Sequence, residues 1–362
     1  LLVPTLLVLI LRLAGFSVGT PWVQLLSLTP LFTIPALAAL LLFALARRLI
    51  PALLAAGSAI ILAILLVAPF APRSADAAVS AGFPACQGQK PDIADSGSQN
   101  PGTRNAGGQG VRIMSLNARL GRADAHMIVE TIRRENVQLL AIQEFTPTLG
   151  AALTAAGLNE LLPHTLQVPE AGAAGAGTFS QFPLTTREVP GVEPMAFENT
   201  TAAFTVPDAE GRTRRVEITN VHTFPPLPDT VDSWRHDIGA LAHVNSTGGT
   251  RILAGDFNAT YDHREFRDLL NANPDAQLAD ASTVGLARLQ PTWPRDHMLS
   301  PGIVIDHVLT SPDVSTCGYT TQRIPGSDHA AVLVTLHFGQ LPTPGSESQG
   351  TYPQPSPGSP TH

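Results

Sequence analysis

The sequence predicts a layered α/β domain of mixed sheets, carried behind apolar membrane-spanning helices. Two observations predict it. Charge is segregated: residues 1–70 hold Arg12, Arg47 and Arg48 and no Asp or Glu, while the whole chain carries −7, so everything after residue 70 carries −10. Beyond residue 110, short apolar runs alternate with amphipathic helical patterns, and some runs follow one another with no helix between, which requires antiparallel pairing beside parallel pairing. A uniform soluble globule is excluded, and so is a basic protein that coats nucleic acid. So acidic a domain repels polyanions, and a phosphate substrate needs a bound cation to meet it.

The N-terminal part (1–70) contains three apolar stretches, 1–16, 22–46 and 49–70. The second and third reach the roughly 20 residues a bilayer requires, and in hydrocarbon each should be helical so that its amides are bonded internally. The first is shorter, carries Arg12 and begins without Met, as expected of a trimmed start. Pro30 and Pro35 should kink the second stretch, and Trp22 stands where an interfacial aromatic would. Arg47 and Arg48, between the second and third stretches, mark a cytoplasmic turn, so the third span should deliver the rest of the chain to the outside. Ser74-Ala75-Asp76-Ala77 resembles a cleavage site, but two upstream apolar segments favour a retained anchor. Cell-membrane, multi-pass placement with an extracellular domain is therefore expected.

Residues 71–110, rich in Ala, Gly, Ser, Pro and Gln, read as a flexible linker holding the domain off the bilayer, and 339–362 as a disordered Pro/Ser-rich tail. Cys86 and Cys317 are compatible with one disulfide in an exported domain, and no metal-site cysteine spacing is present. The folded domain spans 111–338. Strands are expected at 111–116, 137–142, 204–206, 215–221, 251–254, 303–310 and 331–336. Helices are expected after an Asp124 cap, with Met127, Ile128 and Ile132 on one face, and at 234–244 and 263–271. The Gly-rich run 171–177 lacks the Lys-Ser/Thr of a P-loop and reads as a surface loop. Arg212, Arg214 and Arg215 form either a local basic patch or a solvated hairpin turn.

A recurring feature carries the chemistry: an apolar strand ends, and a metal- or phosphate-competent side chain follows. Asn117, Glu144, His222, the Asp256/Asn258 pair, Asp306 with His307, and Asp328 with His329 all stand in this position. One such residue is an ordinary turn former. Six strand ends converging along one sheet edge are a site. With a side-chain period of two, Asp256 and Asn258 should point to one side and Phe257 to the other. Oxygen ligands predominate and no zinc motif occurs, which favours Mg²⁺ or Mn²⁺, with Ca²⁺ as a further candidate.

Asn117, Gln143-Glu144, Gly255-Asp256-Phe257-Asn258-Ala259, Asp306-His307 and Ser327-Asp328-His329 resemble, in order, the motifs of the endonuclease/exonuclease/phosphatase superfamily, the DNase-I-like fold. The resemblance implies a four-layer α/β sandwich with one metal-assisted phosphoester site. It implies Glu144 as principal metal ligand, with Asn117 steadying it or the phosphate and Asp328 near the metal. Asp256 would position or deprotonate the attacking water, Asn258 would bond a phosphoryl oxygen, and His329, oriented by Asp306, would bind or protonate the phosphate. His222 matches the family's second histidine, while His307 could equally face the core. Where the family commonly carries Ser-Arg-x-Pro, this chain has Ser180-Gln181-Phe182-Pro183. Thr292-Trp293-Pro294 resembles a segment near the family's substrate cleft.

Apolar spans, an outward domain of this type and the Ala/Gly/Pro-rich composition also resemble actinobacterial membrane proteins linked to teicoplanin resistance. That resemblance implies hydrolysis of a lipid-linked pyrophosphate, with the bilayer as partner. An extracellular nuclease is the alternative, disfavoured by the acidic balance. A catalytically silent binding or resistance module is the alternative of another class.

Overall fold

The protein is described here by a computed structural model covering residues 1–16, 19–67, 110–188, 193–207, 213–244, 249–274, 276–283, 287–296 and 301–339. Nearly all of the expected linker and tail, and Cys86 of the expected disulfide, lie outside the described residues.

The apolar N-terminus folds as α1 (Leu2–Leu13), α2 (Trp22–Ser27), a 3-10 turn (Thr29–Phe32), α3 (Thr33–Leu45) and α4 (Leu49–Val67). The stretch expected as one kinked helix over 22–46 is instead two helices with a 3-10 turn between them. Pro30 has no amide to continue α2, so the chain restarts, whereas Pro35 sits harmlessly in the first turn of α3. Among the described residues one helix, over Leu49–Leu66, is long and apolar enough to cross a membrane. Leu9, Ala36, Ala59 and Leu62 form a small core between these helices, and Leu41, Leu45, Leu53, Ile60 and Ile64 are exposed.

The sheets follow from β1 (Val111–Asn117) through α5 (Ala125–Arg134), β2 (Leu139–Gln143), α6 (Pro147–Ala155), α7 (Leu158–Leu161), β3 (His164–Val168), β4 (Ala176–Ser180), β5 (Thr185–Arg187), β6 (Thr201–Pro207) and β7 (Thr213–His222). The chain continues with α8 (Val231–Val244), β8 (Thr250–Asp256), α9 (Arg264–Leu270), β9 (Ala279–Asp280), β10 (Asp306–Thr310), β11 (Val314–Arg323) and β12 (Ala330–Phe338). Two six-stranded sheets result, ordered β11-β12-β1-β2-β4-β3 and β5-β6-β7-β8-β10-β9. Each has one central parallel pair, β1/β2 and β7/β8, bridged by an α5 or α8 crossover, and every other pairing is antiparallel. Three cores separate four layers. Ile128, Ile132, Leu149 and Leu140 fill the space between α5–α7 and the first sheet; Ile113, Leu139, Phe204 and Ile252 lie between the sheets; Trp234, Phe257, Phe266 and Leu309 lie under α8 and α9. The sandwich expected from the resemblance is the fold observed.

Local expectations hold at several points. Asp124 caps α5 by accepting from the Met127 amide at 3.0 Å, although Met127 itself is only half-buried and Val129 takes its place in the core. The strand expected over 303–310 begins only at Asp306; Ile303 instead makes an isolated bridge with Trp293. The run at 171–177 is a loop at the surface only through Ala174; from Gly175 it is buried and enters β4. Arg214 forms no basic patch either. It is buried against Thr250, Asp313 and the Gly339 carbonyl, and Arg215 pairs with Glu217.

His307 faces the core. Its Nδ1 lies 3.0 Å from Asp280 and its Nε2 donates to the Ala259 carbonyl at 2.9 Å. Burial alone would lower its pKa, but the Asp280 charge and these hydrogen bonds outweigh that and raise it. Asp280→Ala, which strands this imidazolium without its counter-charge, should destabilise the protein by about 3–5 kcal/mol in denaturant unfolding. Asp280→Asn, which keeps a hydrogen-bond acceptor, should cost less.

The N-terminal helices are docked on the sandwich rather than separated from it. Arg12 Nε and Arg288 Nη2 hold the two oxygens of buried Asp262 at 2.9 and 2.6 Å, and Arg288 Nη1 donates to the Leu65 carbonyl of α4 at 3.0 Å. Val23 of α2 enters the core around Trp234 and Phe266. His263 accepts from the Thr260 amide at Nδ1 (2.8 Å) and donates from Nε2 to the Val23 carbonyl (2.9 Å). Burial lowers the His263 pKa, in keeping with that neutral tautomer. Two buried arginine side chains sharing one carboxylate thus fix α1 and α4 to the sandwich.

Candidate active site

The two parallel pairs aim their carboxyl ends at the same edge of the sandwich. Asn117 ends β1, Glu144 follows β2, His222 ends β7 and Asp256 ends β8. β10 runs antiparallel to β8, so its first residue, Asp306, lies beside Asp256, which in turn lies beside His222. Residues in register on neighbouring strands share a face, so this row of three side chains is a consequence of pairing alone. β12 runs antiparallel to β1, so His329, just before its start, arrives at the same edge.

One cleft of about 790 Å³ is lined by Asn117, Glu144, His222, Asp256, Asn258, Asp328 and His329, with Asp306 buried directly behind His329. Asn117 ties the two sheets' contributions together, its Nδ2 donating to Glu144 Oε1 and to Asp256 Oδ2, both at 3.0 Å. Glu144 Oε2 also accepts from the Leu120 amide at 2.5 Å. Asp256 Oδ1 accepts from the Asn258 amide at 2.8 Å, and Asn258 Nδ2 donates to the Thr223 carbonyl at 2.9 Å. The side-chain alternation expected at 256–258 is reached by another route. Asn258 stands in a left-handed turn with φ 47° rather than in a strand, and fully buried Phe257 packs away from the cleft. Glu144 (φ 55°) is likewise left-handed, a costly conformation for non-glycine residues that here aims two side chains into one cleft. Gly255 cannot be replaced: a Cβ would collide with the Val221 carbonyl across the β7/β8 pair.

The histidines differ sharply. His329 Nδ1 lies 3.0 and 3.1 Å from the two Asp306 oxygens, and its Nε2 is 3.8 Å from Asp256 Oδ2. Burial would lower its pKa, but Asp306 and Asp256 outweigh that and push it up to about 10, so it is a cation at neutral pH. Asp306 is itself positioned by Thr292, whose hydroxyl accepts from the Asp306 amide at 3.2 Å. His222 is pulled down to about 3 by burial and by the charge of His329. It is therefore neutral, donating from Nδ1 to the Ala173 carbonyl at 3.1 Å and stacked on Phe197. Its Nε2 is left as a bare acceptor, 3.8 Å from Glu144 Oε1 and 3.9 Å from Asp256 Oδ2. Asp256 is raised to about 7 by burial and by the neighbouring Asp306 charge.

Glu144 Oε1, Asp256 Oδ2 and His222 Nε2 thus face one another, with Asn117 Nδ2 bracing both carboxylate oxygens, and the donor set fits a cation. Buried Asp256, Asp306 and His329 also offer ligand atoms within 4.8 Å of one another. The two sets share Asp256, so both open onto the same part of the cleft.

Asp328 stands at the mouth, accepting from Trp293 Nε1 at 3.3 Å and lying 3.7 Å from Arg119 Nε. Sequence reasoning missed Arg119, which pairs with Asp296 at 3.0 Å beside the cleft, and Asn220, whose amide joins Gln143, the Ile142 carbonyl and the Gly177 carbonyl in the gap between the sheets. An Asn two residues before His222 on one strand was the available signal for the second. Ser180-Gln181-Phe182-Pro183 lies at the opposite end of β4 from the cleft, since Ala176 pairs with Gln143 and Ser180 with Leu139. The absent arginine therefore removes nothing from this site.

The family model described as "Endonuclease/Exonuclease/phosphatase family" matches residues 114–329, well over half of the chain. None of the curated proteins compared with the chain matches it. Similar solved structures include an endonuclease/exonuclease/phosphatase from Beutenbergia cavernae (19% identity, 64% of this chain and 72% of that one, TM-score 0.45). They also include humanized D. rerio TDP2 (12%, 63% and 98%, 0.48) and an endonuclease/exonuclease/phosphatase from Bacteroides vulgatus (16%, 63% and 99%, 0.47).

Proposed function

The chain belongs to the endonuclease/exonuclease/phosphatase family, and from that membership we propose that it is a divalent-metal-dependent phosphoesterase, anchored in a membrane, facing outward, and hydrolysing a lipid-linked phosphodiester or pyrophosphate. The observation that carries the reaction class is the set of Glu144, Asp256 and neutral His222 facing one another beside cationic His329. Hydrolysis of a P–O bond gathers negative charge on the non-bridging and leaving oxygens. His329 meets that charge and can deliver a proton from Nε2, while Asp306 holds its ring and Asn258 supplies a polar contact at the rim. Asp256, buried beside His329 and His222, accepts the proton of the attacking water. Glu144, Asp256 and His222, with Asn117 bracing the carboxylates, would hold Mg²⁺ or Mn²⁺. The ion would supply Lewis-acid polarisation and keep Asp256 ionised.

Support for the membrane reading comes from the α3–α4 hairpin. Arg47 and Arg48 form its turn, and the far end of α4 meets Arg288 of the catalytic domain. Basic residues at the distal turn favour the cytoplasmic side for that end and the outside for the domain. Among the described residues lining the cleft, Arg119 is the one Lys or Arg, which disfavours a long polyanion such as DNA.

The test is a panel: the full chain in detergent micelles, with Mg²⁺ or Mn²⁺, offered plasmid DNA, a soluble phosphomonoester and a polyprenyl pyrophosphate. Phosphate release from the polyprenyl pyrophosphate is the expected result. Cleavage of DNA alone would replace the reading by a nuclease, and turnover of none by a folded protein would favour a binding module.

A further inference from the structure

The catalytic residues form the floor of the cleft, but part of its wall comes from the N-terminal apolar segment. Gln24, Ser27 and Leu28, in and just after α2, line the same cavity as His329 and Asp256, more than 200 positions away in sequence. The segment is fixed there. Gln24 Nε2 donates to the Pro226 carbonyl at 2.5 Å, joining α2 to the loop carrying Phe224 and Leu227, while Gln24 Oε1 is buried with no hydrogen-bond partner. His263, bonded to the Val23 carbonyl, connects the other side of α2 to the loop that follows Asn258.

Above the polar floor the walls are apolar: Leu28, Phe224, Leu227, Ile303, Ile305 and Trp293. Leu227 is 53% and Trp293 36% exposed, so large apolar surface is open at the mouth. A second cavity of about 230 Å³ shares Ser27 and Ile303 with the first and continues beneath the 3-10 turn, past Pro30, Leu31 and Leu289. Arg288, which also lines it, bonds to the end of α4. Two adjoining cavities, the second lined also by the Asp262–Arg288 pair, thus lie between the acidic floor and Arg288, which bonds to the end of the one helix among the described residues that is long and apolar enough to cross a membrane.

We infer that α2 and the 3-10 turn are a substrate-binding wall: the cleft takes a phosphate ester of a long hydrocarbon alcohol, with the phosphate on the polar floor and the chain lying against Leu28, Phe224 and Leu227 and passing beneath the 3-10 turn toward α4. This rests on the phosphoesterase reading above. It gives the N-terminal segment a part in selecting substrate beyond attachment. A nucleotide would need cations along its backbone where these walls offer hydrocarbon.

The test uses the full chain in nanodiscs with Mn²⁺ and two pyrophosphate monoesters, one of a short water-soluble alcohol and one of a long polyprenol. Wild type should show the lower KM for the long ester. Leu28→Gln and the milder Leu28→Ala should each raise that KM about tenfold relative to the short ester's, the discrimination a lost apolar contact in a pocket brings. Thermal melting of both variants reports whether the docked segment is retained. If the long-to-short KM ratio stays at its wild-type value in both folded variants, or if wild type shows no preference, the inference is overturned while the phosphoesterase reading stands. If wild type hydrolyses neither ester, that reading fails and takes this one with it.

Discussion

Asp256→Asn is expected to lower turnover by about a hundredfold to a thousandfold with the fold intact, and His329→Ala to do the same. Both residues belong to one buried constellation in which each fixes the other's protonation: Asp306 and Asp256 keep His329 cationic, and His329 restrains the upward shift that burial and Asp306 impose on Asp256. The Asn side chain preserves the shape and one acceptor for the Asn258 amide, but it cannot accept a proton. Alanine at 329 removes the cation that faces developing phosphoryl charge. Loss of one preorganised group of this kind removes two to three orders of magnitude. Because the two act on one step, the double variant should fall well short of the product of the single losses. The measurement is kcat on the substrate identified by the panel, with circular-dichroism melting as the control for folding. A wild-type rate in either single variant would remove the site assignment.

Chelation should abolish turnover, and readdition of Mg²⁺ or Mn²⁺ should restore it. Glu144→Gln should raise the metal concentration needed for half-maximal rate by at least about tenfold, the least that loss of even a supporting group around a metal typically costs. Both Glu144 oxygens are already oriented by donors, Asn117 Nδ2 at 3.0 Å and the Leu120 amide at 2.5 Å, so the carboxylate is held in place before any ion arrives. Replacing one oxygen by an amide nitrogen leaves the position filled but turns an acceptor into a donor. That donor would face the Leu120 amide or Asn117. Activity that survives exhaustive chelation would refute a metal-dependent reaction.

The strand-end residues were legible because a strand's carboxyl end is visible as an apolar run giving way to a polar side chain, and parallel pairing sends such ends to one edge. Asn117, Glu144, His222 and Asp256 could be named from that pattern, whereas His329 stands before β12 rather than after a strand. Which strands neighbour which could not: the row His222–Asp256–Asp306 depends on β10 lying antiparallel beside β8, and nothing local to 303–310 specifies its partner. The ambiguity at His307 was of the same kind. Asp306 and His307 alternate faces by the pleat, and only the presence of Asp280 on the next strand makes His307 the core member.

The amino-acid order alone determined the segregation of an apolar N-terminus from an acidic α/β domain, and the polar side chains that stand at the ends of its strands, because both are written in short-range composition and periodicity. The tertiary structure alone decided that His222 is neutral and His329 cationic, since a histidine's charge depends on burial and on carboxylates brought from distant strands. It alone decided, too, that Arg12 and Arg288 share Asp262 and that α2 walls the cleft, because a buried ion pair across 250 positions and a docked helix leave no periodic trace in the chain.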